Sequence, residues 1–333
     1  MGRTVFVLGA GFSRYAGMPL VQELREEVFQ WLEENASDPR VSVHMNPLPN
    51  WPEFPKGKFW DSLRRVDPED RRGFEELMID LRCQEKEYPA CVQARHVLRY
   101  ACAQLLWAKQ NTFVNVPESY RYFARLVRGE LGVISFNWDL ICERALEKEW
   151  VPWGYSQHTA QIPVIKPHGS LNWTNHPMQE DWGRRIGNPP ECRPIAPDSS
   201  ISHMPDKPFD DPLLKYDSDD LRCLIFPDYD ELLDHHAGAC ARAEKTRLWN
   251  EATSLIERAK QVAFIGYSLP SYDSEARQRL ECACRRKVVI VCNPATDVIE
   301  EFRRVFQQSQ IVPEPDKFEE SLFGAIPRTT ASA

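Results

Sequence analysis

The chain has 333 residues, 42% of them hydrophobic and 27% charged, the balance of an ordinary globular protein. Its length suits one large domain or about two units. Forty-one basic residues stand against 49 acidic ones, a net charge of −8, which argues against a protein built to coat nucleic acid.

The first element is TVFVL (4–8), an apolar run that reads as a buried strand and not as a cleavable leader. Phe6 stands where a myristoylation signal would carry Ser or Thr. Leu20, Leu24, Val28 and Trp31 recur at helical spacing, and Pro19 suits a first turn, so a helix is expected from Pro19 to Glu34. A proline- and aromatic-rich stretch follows, and then helical stretches near 68–86, 90–109 and 117–128. Residues 36–115 read as a helical insertion. LGVISFN (131–137) reads as a strand, a helix runs from Asp139 to Lys148, and IPVIKPHGS (162–170) reads as a further strand.

From 174 to 220 the chain is rich in Pro, Asp and Ser and lacks periodicity: a long irregular excursion, with the role of a lid or a partner surface left open. LRCLIFP (221–227) reads as a strand and 229–260 as one long helix or a pair. QVAFIGYS (261–268) and KVVIVCN (287–293) are the cleanest strands, with a helix near 272–285 between them and another at 295–308. Residues 326–333 read as a frayed tail. Apolar strands alternating with helices predict an α/β fold: a doubly wound, mostly parallel, Rossmann-like sheet in a single domain over 1–325. No apolar run reaches the ~18 residues of a membrane span, and a cytoplasmic location is expected.

The ten cysteines include no CxxC pair, and several sit in apolar runs, so reduced, buried thiols are expected and no metal site. His235-His236 beside Asp234 does not make a metal site either, and the scattered Arg-Arg pairs read as solvated surface. Trp249 reads as core.

Four strand ends carry polar or glycine-rich groups. Gly9-Ala10-Gly11 follows the first strand, and Ser13 stands where a dinucleotide fingerprint would carry its third glycine. Glycines at that place let backbone amides approach a pyrophosphate. The other three ends are Asn137-Trp138-Asp139, Lys166-Pro167-His168-Gly169-Ser170, and the run from Gly266 to Asp273. Taken alone, each has a structural explanation, such as a helix cap or a buried histidine. In a parallel sheet, however, ligands bind outside the carboxyl ends of the strands, so these four would line one crevice.

Taken in order, GAGFSRYAGMP, SFNWD, KPHGSLNW and FIGYSLPSYD resemble the sirtuin superfamily, and most of all its bacterial sirtuin-like branch of NAD-consuming hydrolases in antiphage defence. The resemblance spans roughly residues 4–295. It implies a sirtuin-like NAD-binding core in which NAD is a substrate to be cut. By that resemblance, Gly9, Ala10, Gly11 and Ser13 contact the pyrophosphate and nearby ribose, and Asn137 and Asp139 sit near the nicotinamide ribose. His168 is the base, Gly266, Ser268 and Asn293 line the adenosine half, and Asp273 lies near the ligand.

The chain departs from deacetylating sirtuins in two ways. Only Cys192 and Cys223 follow His168 where the family's zinc ribbon carries two CxxC pairs, so no zinc is expected. Gly17-Met18-Pro19-Leu20-Val21 also lacks the family's Phe-Arg. These departures favour NAD hydrolysis to nicotinamide and ADP-ribose over an NAD-dependent protein deacylase or ADP-ribosyltransferase, and the presence of both Asn137 and His168 speaks against a catalytically silent NAD or ADP-ribose sensor. Depletion of NAD would poison its own host, so control by a separate activating or sensing protein, or by homo-oligomerisation, is expected. Direct nucleic-acid binding is not.

Overall fold

The computed structural model describes residues 3–35, 62–63, 67, 73–84, 87–88, 90–113, 115–155, 162–174, 222–224, 237–321 and 323. The 175–221 stretch, the His235-His236 pair and the tail lie outside them.

The strands are β1 (Thr4–Leu8), β2 (Gly132–Ser135), β3 (Trp153–Gly154), β4 (Ile162–Ile165), β5 (Gly169–Thr174), β6 (Arg222–Leu224), β7 (Gln261–Ile265), β8 (Val288–Cys292) and β9 (Gln310–Glu314). The described helices are α1 (Ala10–Arg14), α2 (Val21–Asn35), α3 (Phe74–Cys83), α4 (Ala90–Thr112), α5 (Glu118–Val127), α6 (Ile141–Lys148), α7 (Ala237–Arg258), α8 (Ser274–Ala283) and α9 (Thr296–Val305). Seven strands form one sheet in the order β3-β4-β2-β1-β7-β8-β9, every pair parallel, while β5 and β6 form a separate antiparallel pair. The α/β, doubly wound, Rossmann-like architecture is therefore the one expected.

Side-chain alternation sorts the sheet's residues onto two cores. Phe6, Leu8, Val133, Ala263 and Ile265 face one cluster, with Phe12 of α1, Leu24 of α2, Leu77 of α3, Leu98 of α4, Phe123 of α5 and Leu146 of α6. Val5, Val7, Ile134, Val262 and Phe264 face the other, with Trp249 and Leu255 of α7, Leu280 of α8 and Phe302 of α9. Both faces are covered, which is why β1 is buried along its whole length. Trp249 is core, as expected.

Three sequence expectations are corrected. The run 162–170 is not one strand: Gly169 N–H closes a turn onto Lys166 C=O at 3.0 Å, with Gly169 at φ 74, and β5 begins there. A short helix, α1, starts inside the glycine loop, ahead of the helix expected from Pro19. Two strands went unread, the two-residue β3 and the edge strand β9, whose Pro313 sits opposite Val291.

From β1 the sheet extends through β2 and β4 to β3 on one side and through β7 and β8 to β9 on the other. The order reverses between β1 and β7, and a parallel sheet opens a crevice at the carboxyl ends beside such a switch point.

Candidate active site

Three glycines set the floor of that crevice. Gly9 N–H donates to Ile265 C=O at 3.0 Å and Gly11 N–H to Gly266 C=O at 2.9 Å, which locks the loop after β1 onto the loop after β7. A Cβ on Gly9 would fall 2.6 Å from Tyr267 Cα, and one on Gly11 would fall 2.7 Å from Gly266 Cα. Gly266 has φ 62, and a Cβ there would meet Phe12 N at 2.3 Å. These glycines are thus accounted for by backbone meeting backbone. Two of the loop's amides, those of Gly9 and Gly11, are spent on the protein itself.

Asn137 follows β2 and reaches across to the same loop. Its Nδ2 donates to Gly9 C=O at 2.9 Å and to Ser13 Oγ at 3.0 Å. Both amide hydrogens are committed, so the carbonyl Oδ1 is what Asn137 presents to a ligand. Ser13 Oγ donates in turn to Asp139 Oδ1 at 3.1 Å, and Ile141 N–H donates to the same oxygen at 3.0 Å. Burial raises the Asp139 carboxyl, against Lys166, Ile141 N–H and Ser13, which lower it; the net is upward.

The loop bearing Asn137 is stitched to the turn bearing His168. Trp138 Nε1 donates to His168 C=O at 2.7 Å, and Leu171 N–H donates to Trp138 C=O at 2.9 Å. Lys166, fully buried, donates from Nζ to Asp139 C=O at 2.6 Å and to Glu143 Oε1 at 2.9 Å. Tyr155 O–H also donates to that oxygen, at 3.0 Å. A buried lysine is tolerated only when so paired, and this one ties both loops to α6. Phe136, on the other side of Asn137, meets the His168 ring edge-on at 4.9 Å and stacks on Tyr267 at 4.6 Å.

His168 Nε2 lies 3.0 Å from Asp273 Oδ2, a pairing distance at which the ring N–H is not aimed along the hydrogen-bond line. Asp273 is the N-cap of α8, its Oδ1 accepting from Ala276 N–H at 3.1 Å. Burial pushes its carboxyl up, but the charge of His168 first, then Ala276 N–H and Lys245, outweigh burial and hold it below the usual aspartate value. Leu269, in the segment leading to Asp273, takes a left-handed φ of 55 and is held by Arg277, whose Nη1 donates to its carbonyl at 2.7 Å. Strain of that kind costs about 1–3 kcal/mol and gathers at functional sites.

The structure thus brings together Gly9, Ala10, Gly11, Ser13, Asn137, Asp139, His168, Gly266 and Asp273. Ser268 is exposed two residues beyond Gly266. Asn293 directly follows β8, its Oδ1 accepting from Ala295 N–H at 3.0 Å. Sequence reasoning assigned no part to Lys166, Glu143, Phe136 or Tyr267. The signal for Lys166 was present, since a lysine directly after an apolar strand run needs a buried partner. A cleft of about 490 Å³ opens between α8 and the end of α9, with Ser271 and Ser274 on either side of the Tyr272–Asp273 corner and Arg277, Arg285 and Arg304 on its walls. Among the described residues no group of His, Cys, Asp and Glu is placed to hold a metal ion, and no helix is long and apolar enough to cross a membrane.

No protein-family model matches the chain, and no curated protein matches it. Solved structures do. A Sir2 homologue in complex with NAD is 14% identical, with 95% of this chain and 85% of that one covered and a TM-score of 0.40. Sir2Tm bound to a propionylated peptide is 15% identical, with 96% and 89% covered and a TM-score of 0.40. A Sir2 homologue mutant in complex with 2′-O-acetyl ADP-ribose is 15% identical, with 95% and 87% covered and a TM-score of 0.39. At that level of likeness the matches do not assign a family.

Proposed function

We propose that this chain hydrolyses NAD at the nicotinamide–ribose bond, releasing nicotinamide and ADP-ribose. The observation that carries the reading is the pairing of His168 with Asp273, beside an Asn137 whose amide hydrogens are both committed, at the carboxyl ends of a parallel sheet next to its switch point. The residue types suit an ADP-ribosyl group: Asn137 Oδ1 is an acceptor for a ribose hydroxyl or a water, and Asp139 is linked to Asn137 through Ser13 Oγ.

The chemistry asks little of an acid. The nicotinamide leaves as its ring nitrogen takes back the C–N electron pair and becomes neutral. What the site supplies is a base and an orientation. An ionised Asp273 beside Nε2 favours the histidine tautomer protonated there, which leaves Nδ1 with a lone pair. Water oxygen bonds to the ribose C1′ as the C–N bond breaks, and its proton passes to His168. A positioned base of this kind is worth roughly 10²–10⁴ in rate. The motif resemblance adds the setting: bacterial antiphage defence by NAD depletion, held in check by a separate activating or sensing protein or by homo-oligomerisation.

Nicotinamide release from NAD, with no peptide present and over a wide protein concentration range, tests the reading. Wild type should turn over, His168→Ala and Asn137→Ala should lose at least about a hundredfold, and both variants should stay folded. Near-normal turnover by both would refute the site assignment. Release that requires an acylated peptide would instead make the chain a deacylase, and NAD binding without release, even with activators, would make it a sensor.

A further inference from the structure

Glu75 is a buried carboxyl with no part in the chemistry above. It sits in the first turn of α3, in the crossover between β1 and β2, and only 8% of it is exposed. The helix start does not need it, because Glu76 accepts from Gly73 N–H at 3.1 Å there. Glu75 Oε2 instead accepts the Tyr272 hydroxyl, across 197 positions of sequence. Tyr272 directly precedes Asp273, in the segment that holds the strained Leu269.

The groups around Glu75 come from several elements. His168 faces it from the turn after β4; Tyr267, Tyr272 and Asp273 face it from the segment after β7; Cys102 comes from α4 and Glu76 from its own helix. Burial raises the Glu75 carboxyl, His168 and then Tyr272 lower it, and Asp273 and Glu76 raise it again; the net is upward. The Tyr267 hydroxyl in this cluster is buried with no hydrogen-bond partner among the described residues. A carboxyl is costly to bury, and an apolar side chain would fill the space at less cost. What a carboxyl adds here is a fixed acceptor for Tyr272.

We propose that Glu75 is a positioning residue of the candidate site: by holding Tyr272 it fixes the Tyr272–Asp273 corner and so where Asp273 meets His168. The proposal rests on reading His168 as the base.

Two measurements on one variant set test it. Steady-state nicotinamide release is compared for wild type, Glu75→Ala, Glu75→Gln, Tyr272→Phe and the Glu75→Ala/Tyr272→Phe double variant. The ring C–H resonance of His168 in protein labelled at histidine, identified by its loss in His168→Ala, is recorded for the same set. Glu75→Ala and Tyr272→Phe should each lower kcat about tenfold with KM for NAD little changed, as a displaced catalytic group does. The double variant should be no worse than Glu75→Ala. Glu75→Gln, whose amide oxygen still accepts from Tyr272, should keep at least half the activity. The His168 resonance should move in Glu75→Ala and Tyr272→Phe and stay in Glu75→Gln. An unmoved resonance in Glu75→Ala, or a Glu75→Gln as impaired as Glu75→Ala, overturns the proposal. If wild type releases no nicotinamide, even with activators, the hydrolase reading fails on that result, and the resonance alone decides whether Glu75 positions His168.

Discussion

Asp273 carries two tasks on two oxygens. Oδ1 caps α8 and Oδ2 meets His168, both from a fully buried position. Asparagine in its place would keep the cap, since its side-chain oxygen still accepts from Ala276 N–H, but would lose the charge facing His168. Asp273→Asn is therefore expected to cost about 1–3 kcal/mol at neutral pH. The sign of the pH dependence follows from the direction of the shift. The Asp273 carboxyl lies lower in the folded chain than in the unfolded one, so its stabilisation is complete above the ordinary aspartate value of about 3.9 and is lost as pH falls through the lower folded value. Urea unfolding of wild type and Asp273→Asn at pH 7 and at about pH 2.5 should show the full gap at the first and a smaller one at the second. An equal gap at both would mean that the charge of Asp273 does not stabilise the fold.

At the scale of elements, the site depends on how closely two loops approach. The loops after β1 and β7 touch backbone to backbone through Gly9, Gly11 and Gly266, and no side chain fits between them. Gly266→Ala would put a methyl 2.3 Å from Phe12 N at a φ of 62, and should cost about 2–3 kcal/mol or more in thermal or urea unfolding. Gly17→Ala is the control: its φ of 84 is also left-handed, but no described residue lies within 4 Å, so strain alone should cost about 1 kcal/mol. Equal losses would show that backbone strain, and not close approach, explains Gly266. The same elements show what a sequence can disclose. β1, β2, β7 and β8 were legible because strands buried on both faces read as unbroken apolar runs. β9 was not, because an exposed edge strand carrying Pro313 needs no such run. The order of Gly, Asn and His at strand ends exposed most of the site. Lys166 and Glu75 stayed hidden because a buried charge is explained only by its partner, and the partner of Glu75 is Tyr272, far away in the chain.

For the whole molecule, the sheet is what stands between the two cores. One face packs α1 to α6 and the other α7 to α9, and the candidate site draws on strand ends that belong to both. The loop after β1 and the Asn137 loop lead into helices of the first face, whereas Gly266 and Asp273 lead into α8 on the second. A ligand that bridges these loops binds only when both halves are folded, so its binding energy should stabilise the molecule as one unit. ADP-ribose at a hundred times its dissociation constant should add about 2.7 kcal/mol, read as a rise of several degrees in melting temperature. Using the product avoids turnover, and His168→Ala with NAD gives a second, non-hydrolysed probe. Hydrogen exchange should slow on both faces together, in α2 and α5 as well as in α7 and α8. Protection confined to one face would place the ligand away from the switch point, and no melting shift with either probe at millimolar concentration would remove NAD from the account of this crevice.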